Sequence, residues 1–238
     1  ANDGFISIEV DPALCNDMMG TIEEGARIYS QIGFSNVMIK IPATTAGYGA
    51  MEHLTSMGIN VNATLIFSPS QAIESAKALN SGIKKSGKDT KGVVSVFVSR
   101  FDRLLDDQLK HKELEVSRVG IVNATKCYHE INKFNNANIR TLFASTGVKG
   151  DQLAPSYYID ELIFPSTINT APLSTIKSWI ENGKKKESKI LPEDLCDKFF
   201  DKLKSNQIDI NKVYTSLLQD GLGAFKVSFE ELLKKVKL

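Results

Sequence analysis

The chain has 238 residues, of which 42% are hydrophobic and 24% charged, and a formal net charge of +1. That length suits one α/β barrel-sized domain with a substantial core, and the near-zero charge argues against nucleic acid or an anionic membrane as partner. Cys15, Cys127 and Cys196 lie far apart and form no CxxC pair, which fits free thiols in a reducing, cytoplasmic setting. His53, His111 and His129 have no HxH or HxxxH neighbour, so the sequence offers no zinc motif. The first residues lack the basic start and apolar core of a signal peptide, and no apolar run approaches the roughly 18 residues that span a bilayer. The run Lys184-Lys185-Lys186 reads as a solvated helix end or loop.

Short apolar runs alternate with helical patterns along the chain. Strands are expected at Phe5–Val10, Asn36–Ile41, Val61–Phe67, Val93–Val98, Arg140–Ala144 and, more weakly, Glu161–Pro165. Amphipathic helices are expected at Asn16–Ile32, Thr45–Met57, Ser70–Ser81, Leu105–Leu114 and Ile121–Asn132, with Asn16 and Ser70 as N-caps and Gly33 and Gly58 as C-caps. Strict β-α alternation implies parallel strands joined by right-handed crossovers. From Pro165 onward the pattern is helical: Ala171–Asn182, Pro192–Ser205, and Asn211–Leu238 broken near Gly221 and Gly223. The stripe Phe225, Phe229, Leu232, Leu233 and Val236 is read as packing against the domain. No Pro/Gly/Ser-rich linker divides the chain, so residues 1–238 read as a single domain with C-terminal helices on it from about residue 171. No GxxxxGK[ST] occurs, and no GxGxxG follows a strand. Six strands fall short of the eight of a closed barrel, so either the sheet is open and doubly wound or two N-terminal βα units are missing.

Lys40 stands inside the β-branched run Val37-Met38-Ile39-Lys40-Ile41. A charge there is costly unless paired or neutralised, and a lysine neutralised by burial is a nucleophile toward carbonyls. An unperturbed lysine, with a pKa of about 10.4, is about one part in 10³ free amine at pH 7, so burial must lower it for the amine to serve as a nucleophile. Side chains alternate along a strand, so the apolar face turned to the helices fixes what points inward. The inward set is Ser7 and Glu9, Met38 and Lys40, Asn62 and Thr64, and Ser95, with Val61, Ala63, Leu65 and Phe67 outward; Arg100 and Ser145 sit just past strand ends. Glu9 and Lys40 alone could be a buried ion pair, yet a carboxylate, an amine, an amide and two hydroxyls at one layer describe a site at the C-terminal mouth. Arg100, Ser145 and Lys149, with Gly147 and Gly150 nearby, form a second cluster suited to a phosphate monoester; the competing reading is Arg100 paired with Asp102.

The segments Ser7-Ile8-Glu9-Val10-Asp11-Pro12, Met38-Ile39-Lys40-Ile41-Pro42-Ala43-Thr44, Asn62-Ala63-Thr64-Leu65-Ile66-Phe67, Ser95-Val96-Phe97-Val98-Ser99-Arg100 and Thr167-Ile168-Asn169-Thr170-Ala171-Pro172 resemble transaldolase motifs, in the family's order. The resemblance implies an α/β (β/α)₈ TIM barrel and Schiff-base aldol chemistry of the pentose phosphate pathway, with no metal or organic cofactor. Lys40 would attack the C2 carbonyl of a ketose phosphate, and Glu9 and Thr64 would hold a proton-shuttling water. Asn62 and Ser95 would hold the dihydroxyacetone unit; Arg100, Ser145 and Lys149 would bind phosphate, although the family commonly has arginine where Lys149 stands. The implied partners are sedoheptulose 7-phosphate, fructose 6-phosphate, glyceraldehyde 3-phosphate and erythrose 4-phosphate, and a homodimer is compatible with the family. Glu9 is expected to reach Lys40 through water; a direct buried pair would count against that role. The family's first two strands, and the aspartate that serves C–C cleavage, have no match here, since Asp11 is in the wrong strand and Asp3 is terminal. The chain is therefore expected to be part of a longer protein. The rival readings are a fructose 6-phosphate aldolase-like enzyme and a noncatalytic sugar-phosphate-binding fragment.

Overall fold

The computed structural model describes residues 4–236, so Asp3 and the expected helix end at Leu238 lie outside the described residues. Six parallel strands pair in sequence order: β1 (Ile6–Glu9), β2 (Val37–Pro42), β3 (Asn60–Ile66), β4 (Gly92–Phe97), β5 (Ile139–Ala144) and β6 (Ile168–Asn169). Residues from Phe5 and Ser7 at one edge to Ile168 and Thr170 at the other line one cavity, so the sheet curls into a half-barrel. This is the wall of a partial TIM barrel, with β1 and β6 as edges.

The helices α1 (Met18–Ile32), α2 (Thr45–Ser56), α3 (Pro69–Ser86), α4 (Ser99–His111) and α5 (Val119–Asn132) alternate with the strands, and a 3-10 turn at Pro12–Asn16 follows β1. The short α6 (Tyr157–Glu161) precedes β6, and α7 (Leu173–Asn182), α8 (Glu193–Ser205) and α9 (Ile210–Val236) complete the described chain. One apolar layer lies between the outer strand face and the helices, with Ile39, Ile41, Val61, Ala63, Val94 and Val96 at its centre. A second fills the mouth, where Leu65, Phe67, Phe97 and Phe101 meet Leu203, Val213 and Leu217 of α8 and α9. Each fully buried large side chain contributes roughly 1.5–3 kcal/mol.

Several expectations shift. Asp17 and Ser68, not Asn16 and Ser70, cap α1 and α3; Ser68 forms a reciprocal capping box with Gln71, and Pro69 occupies the first turn. Gly33 ends α1 in the left-handed region, whereas α2 ends at Met57, one residue before Gly58. The sixth strand is not Glu161–Pro165: Glu161 closes α6, and Ile168–Asn169 pairs with Leu142 and Phe143 instead. In β3 the alternation breaks at Leu65, whose φ of 58° accompanies a register shift against β4. Leu65 and Phe67 therefore turn into the mouth layer rather than outward, and Ile66 joins the outer core. Finally, α9 runs unbroken through Gly221 and Gly223. A Cβ on Gly221 would lie 3.0 Å from Leu65 Cδ2 and 3.4 Å from Arg100 Nη1, so this glycine permits close packing rather than a break. Only the first part of the α9 apolar stripe packs: Phe225 meets the mouth layer, while Leu232, Leu233 and Val236 are exposed.

Candidate active site

Strand register brings the amine and the carboxylate together. Glu9 and Lys40 are direct partners on neighbouring parallel strands, which run about 4.8 Å apart. Lys40 Nζ lies 3.3 Å from Glu9 Oε2, and the side chains are 24% and 22% exposed. The expected water-mediated contact is thus replaced by a direct one, because adjacent in-register side chains on one face leave too little room for an intervening molecule. That arrangement counts against Glu9 acting through water alone. The pair uses only one carboxylate oxygen, however; Glu9 Oε1 is buried and has no hydrogen-bond partner among the described residues. Burial raises the Glu9 carboxyl above its ordinary pKa, with the Lys40 charge opposing it.

Beside this pair, Ser95 Oγ donates to Asn62 Oδ1 at 2.6 Å, and Asn62 Nδ2 donates to Ser7 Oγ at 2.9 Å. The three residues sit on β4, β3 and β1 and fix the amide's orientation across the inner face. Parity turns Ser7 inward but carries no signal of its pairing with the Asn62 amide. Thr64 is fully buried and its Oγ1, like Glu9 Oε1, has no partner among the described residues. Lys40, Asn62, Thr64 and Ser95 share a cavity of about 580 Å³ with Ser7 and Phe97. Phe225 of α9, which strand reasoning could not reach, stacks over Lys40 Nζ at 4.6 Å from its ring centroid.

The second cluster divides. Ser145, with a φ of 55°, leaves the alternation of β5 and hydrogen bonds with Ser99 Oγ at 3.1 Å. Ser145 and the exposed Lys149 line a recess of about 260 Å³ together with Ser99 and Arg103. Arg100 does not line that recess. Its guanidinium lies over Phe97 and Phe67, at 5.4 and 6.0 Å, beneath α9. Burial, reinforced by Arg103 and opposed by Asp220, lowers its pKa. The competing pairing with Asp102 is not formed: Asp102 accepts from Gly120 N–H at 3.0 Å and from Tyr158 O–H at 2.9 Å. Arg103 stands three residues after Arg100 on α4, a helical spacing that could have flagged it. Lys184 pairs with Glu161 just after α7, as a solvated loop lysine should.

A lysine, a carboxylate, an amide and hydroxyls on the inner face of a parallel half-barrel, with cations at the start of α4 and on the loop after β5, are the kind of arrangement that enzymes of the barrel class present at the C-terminal ends of their strands. The family described as Transaldolase/Fructose-6-phosphate aldolase matches residues 1–236. A transaldolase of Campylobacter jejuni (strain RM1221) is 44% identical over 246 aligned residues, covering 98% of this chain and 73% of that protein. A transaldolase of Helicobacter pylori (strain P12) is 42% identical, covering 98% of this chain and 72% of its own length. The chain belongs to the transaldolase/fructose-6-phosphate aldolase family, and its function is that of a transferase of aldehyde or ketone residues, of the transaldolase kind.

Proposed function

We propose that the protein moves a dihydroxyacetone unit from sedoheptulose 7-phosphate to glyceraldehyde 3-phosphate through a Schiff base on Lys40. The observation that carries this reading is the position of Lys40, in contact with a carboxylate of raised pKa and opening on the same cavity as Asn62, Thr64 and Ser95. Glu9 Oε2 takes the proton that frees the amine. Attack on the C2 carbonyl then gives a carbinolamine, which loses water to form the imine. Glu9 Oε1 and Thr64 Oγ1, both buried without hydrogen-bond partners among the described residues, suit a water that relays those protons. Asn62 and Ser95 orient the hydroxyls of the three-carbon unit, and their mutual hydrogen bond sets which atoms are available to it.

Ser145 and Lys149, joined by Arg103, hold the phosphate, with Arg100 closing from beneath α9. The described residues lining the main cavity include no carboxylate, Glu9 reaching it only through Lys40, so on this reading the acid–base group for C–C cleavage comes from outside that lining. Two more strands between the open edges β6 and β1 would complete an eight-stranded barrel and could carry it. The setting we infer is the pentose phosphate pathway in the cytoplasm. An assay with fructose 6-phosphate as donor and erythrose 4-phosphate as acceptor tests the reading: sedoheptulose 7-phosphate should form and disappear with Lys40→Ala. Release of free dihydroxyacetone in preference to transfer would favour a fructose 6-phosphate aldolase-like activity instead.

A further inference from the structure

The strand-borne residues do not account for the helix that crosses the mouth. α9 touches β3, α4 and the 3-10 turn after β1, so it reaches from one side of the cavity opening to the other. Its buried anchors are Val213, Leu217 and Gly221, and Tyr214 O–H ties it to Asn123 Oδ1 at 2.9 Å. Gly221 sets the height of the helix, since a Cβ there would press on Leu65, Phe67 and Arg100. One turn later Phe225 stacks over Lys40 at 4.6 Å and lies 6.4 Å from the Phe97 ring. Phe97 contacts Phe67 at 5.2 Å, which continues the aromatic surface around the amine.

We propose that Phe225 is a specificity-determining residue that shields the Lys40 adduct from water and so decides between transfer and release of the three-carbon unit. The proposal rests on Lys40 being the Schiff-base nucleophile. After C3–C4 cleavage the enamine on Lys40 has two fates. Its carbon can attack an acceptor aldehyde, forming the new C–C bond, after which water hydrolyses the product imine. Alternatively, that carbon takes a proton and water then adds to C2, returning the amine and releasing dihydroxyacetone. The second route needs a proton source and water at the enamine before the acceptor arrives. An aromatic ring over the nitrogen keeps bulk solvent from the mouth side of the enamine while the relay water on the Glu9 side remains to hydrolyse the product imine, and exclusion of bulk water from a reactive intermediate is a general way to suppress its premature hydrolysis. The charge on the iminium form also favours a ring face, which keeps Phe225 in place during turnover.

The test measures the ratio of free dihydroxyacetone to sedoheptulose 7-phosphate, with fructose 6-phosphate as donor and erythrose 4-phosphate as acceptor. Phe225→Ala should raise the release-to-transfer ratio by about tenfold or more, while Phe225→Leu, which keeps most of the apolar bulk, should return it close to the parent value. Gly221→Val, which lifts α9 without altering the ring, should raise the ratio in the same direction. An unchanged ratio in Phe225→Ala, with both products falling together, would reduce Phe225 to a packing role and overturn the proposal. Absence of a borohydride-reducible dihydroxyacetone adduct on Lys40 in the folded parent protein would instead overturn the assignment of Lys40 on which this proposal depends.

Discussion

The inner face of β1–β4 and the loops beyond β4 and β5 handle polar groups in opposite ways. On the strands, Asn62, Thr64 and Ser95 are at most 5% exposed and Lys40 is held by a neighbour in register. On the loops, Lys149 is exposed and Ser145 depends on a left-handed backbone residue for its direction. A sheet fixes its side chains through the ladder itself, so groups placed there are preorganised for chemistry. Lys149 keeps its solvation, and on the proposed reading it engages the phosphate only when substrate arrives. The difference teaches where single substitutions should act: on turnover along the strands, and on substrate affinity in the loops.

Lys40→Ala should have the largest effect, lowering the turnover number by at least about 10³-fold with the fold intact by circular dichroism. Glu9→Gln should lower it by about 10²-fold, because an amide cannot take the proton. Since burial raises the Glu9 pKa, the acid limb of the parent pH–rate profile should lie above the usual carboxylate range and vanish in this variant. Comparable turnover in Glu9→Gln would break the strand half of the comparison.

Asp102 probes the strut behind the loops. Burial raises its pKa to about 6, against hydrogen bonds from Gly120 and Tyr158 that pull it down. Between the unfolded value of 3.8 and about 6 the folded protein holds more protons than the unfolded chain, so stability falls as pH rises through that window and levels above it. Urea unfolding from pH 4 to 7 should show Asp102→Asn losing this decline, which is on the order of 2–3 kcal/mol. Arg100→Ala should raise KM for phosphorylated donors about tenfold while leaving turnover near the parent value. Ser145→Ala should do the same by roughly threefold, the smallest change. A fall in turnover without a change in KM for either would erase the distinction between the two regions.

Parity made most of the inner face legible, because alternation in a parallel strand is a steric rule and the apolar partners of Lys40 and Ser95 are unambiguous. It failed where the backbone departs from the ladder. Nothing in Leu65 signals a left-handed residue, since leucine is not chosen for that region, and the flip of Phe67 into the mouth followed from it. Ile168–Asn169 is too short to leave a periodic trace, although the Thr167–Pro172 motif contains it. Gly221 and Gly223 suggested a break by intrinsic propensity, but burial of Gly221 against Leu65 and Arg100 outweighs that cost. The direct Glu9–Lys40 contact depended on register, which a single strand's sequence does not contain.

The central claim is that Lys40 is the amine that forms the covalent intermediate. Incubation with dihydroxyacetone, reduction with borohydride and peptide mapping by mass spectrometry tests it without requiring C–C cleavage. The account predicts a single reduced adduct on the peptide containing Lys40, absent from Lys40→Ala. An adduct on another lysine, or none in a folded sample, would contradict it.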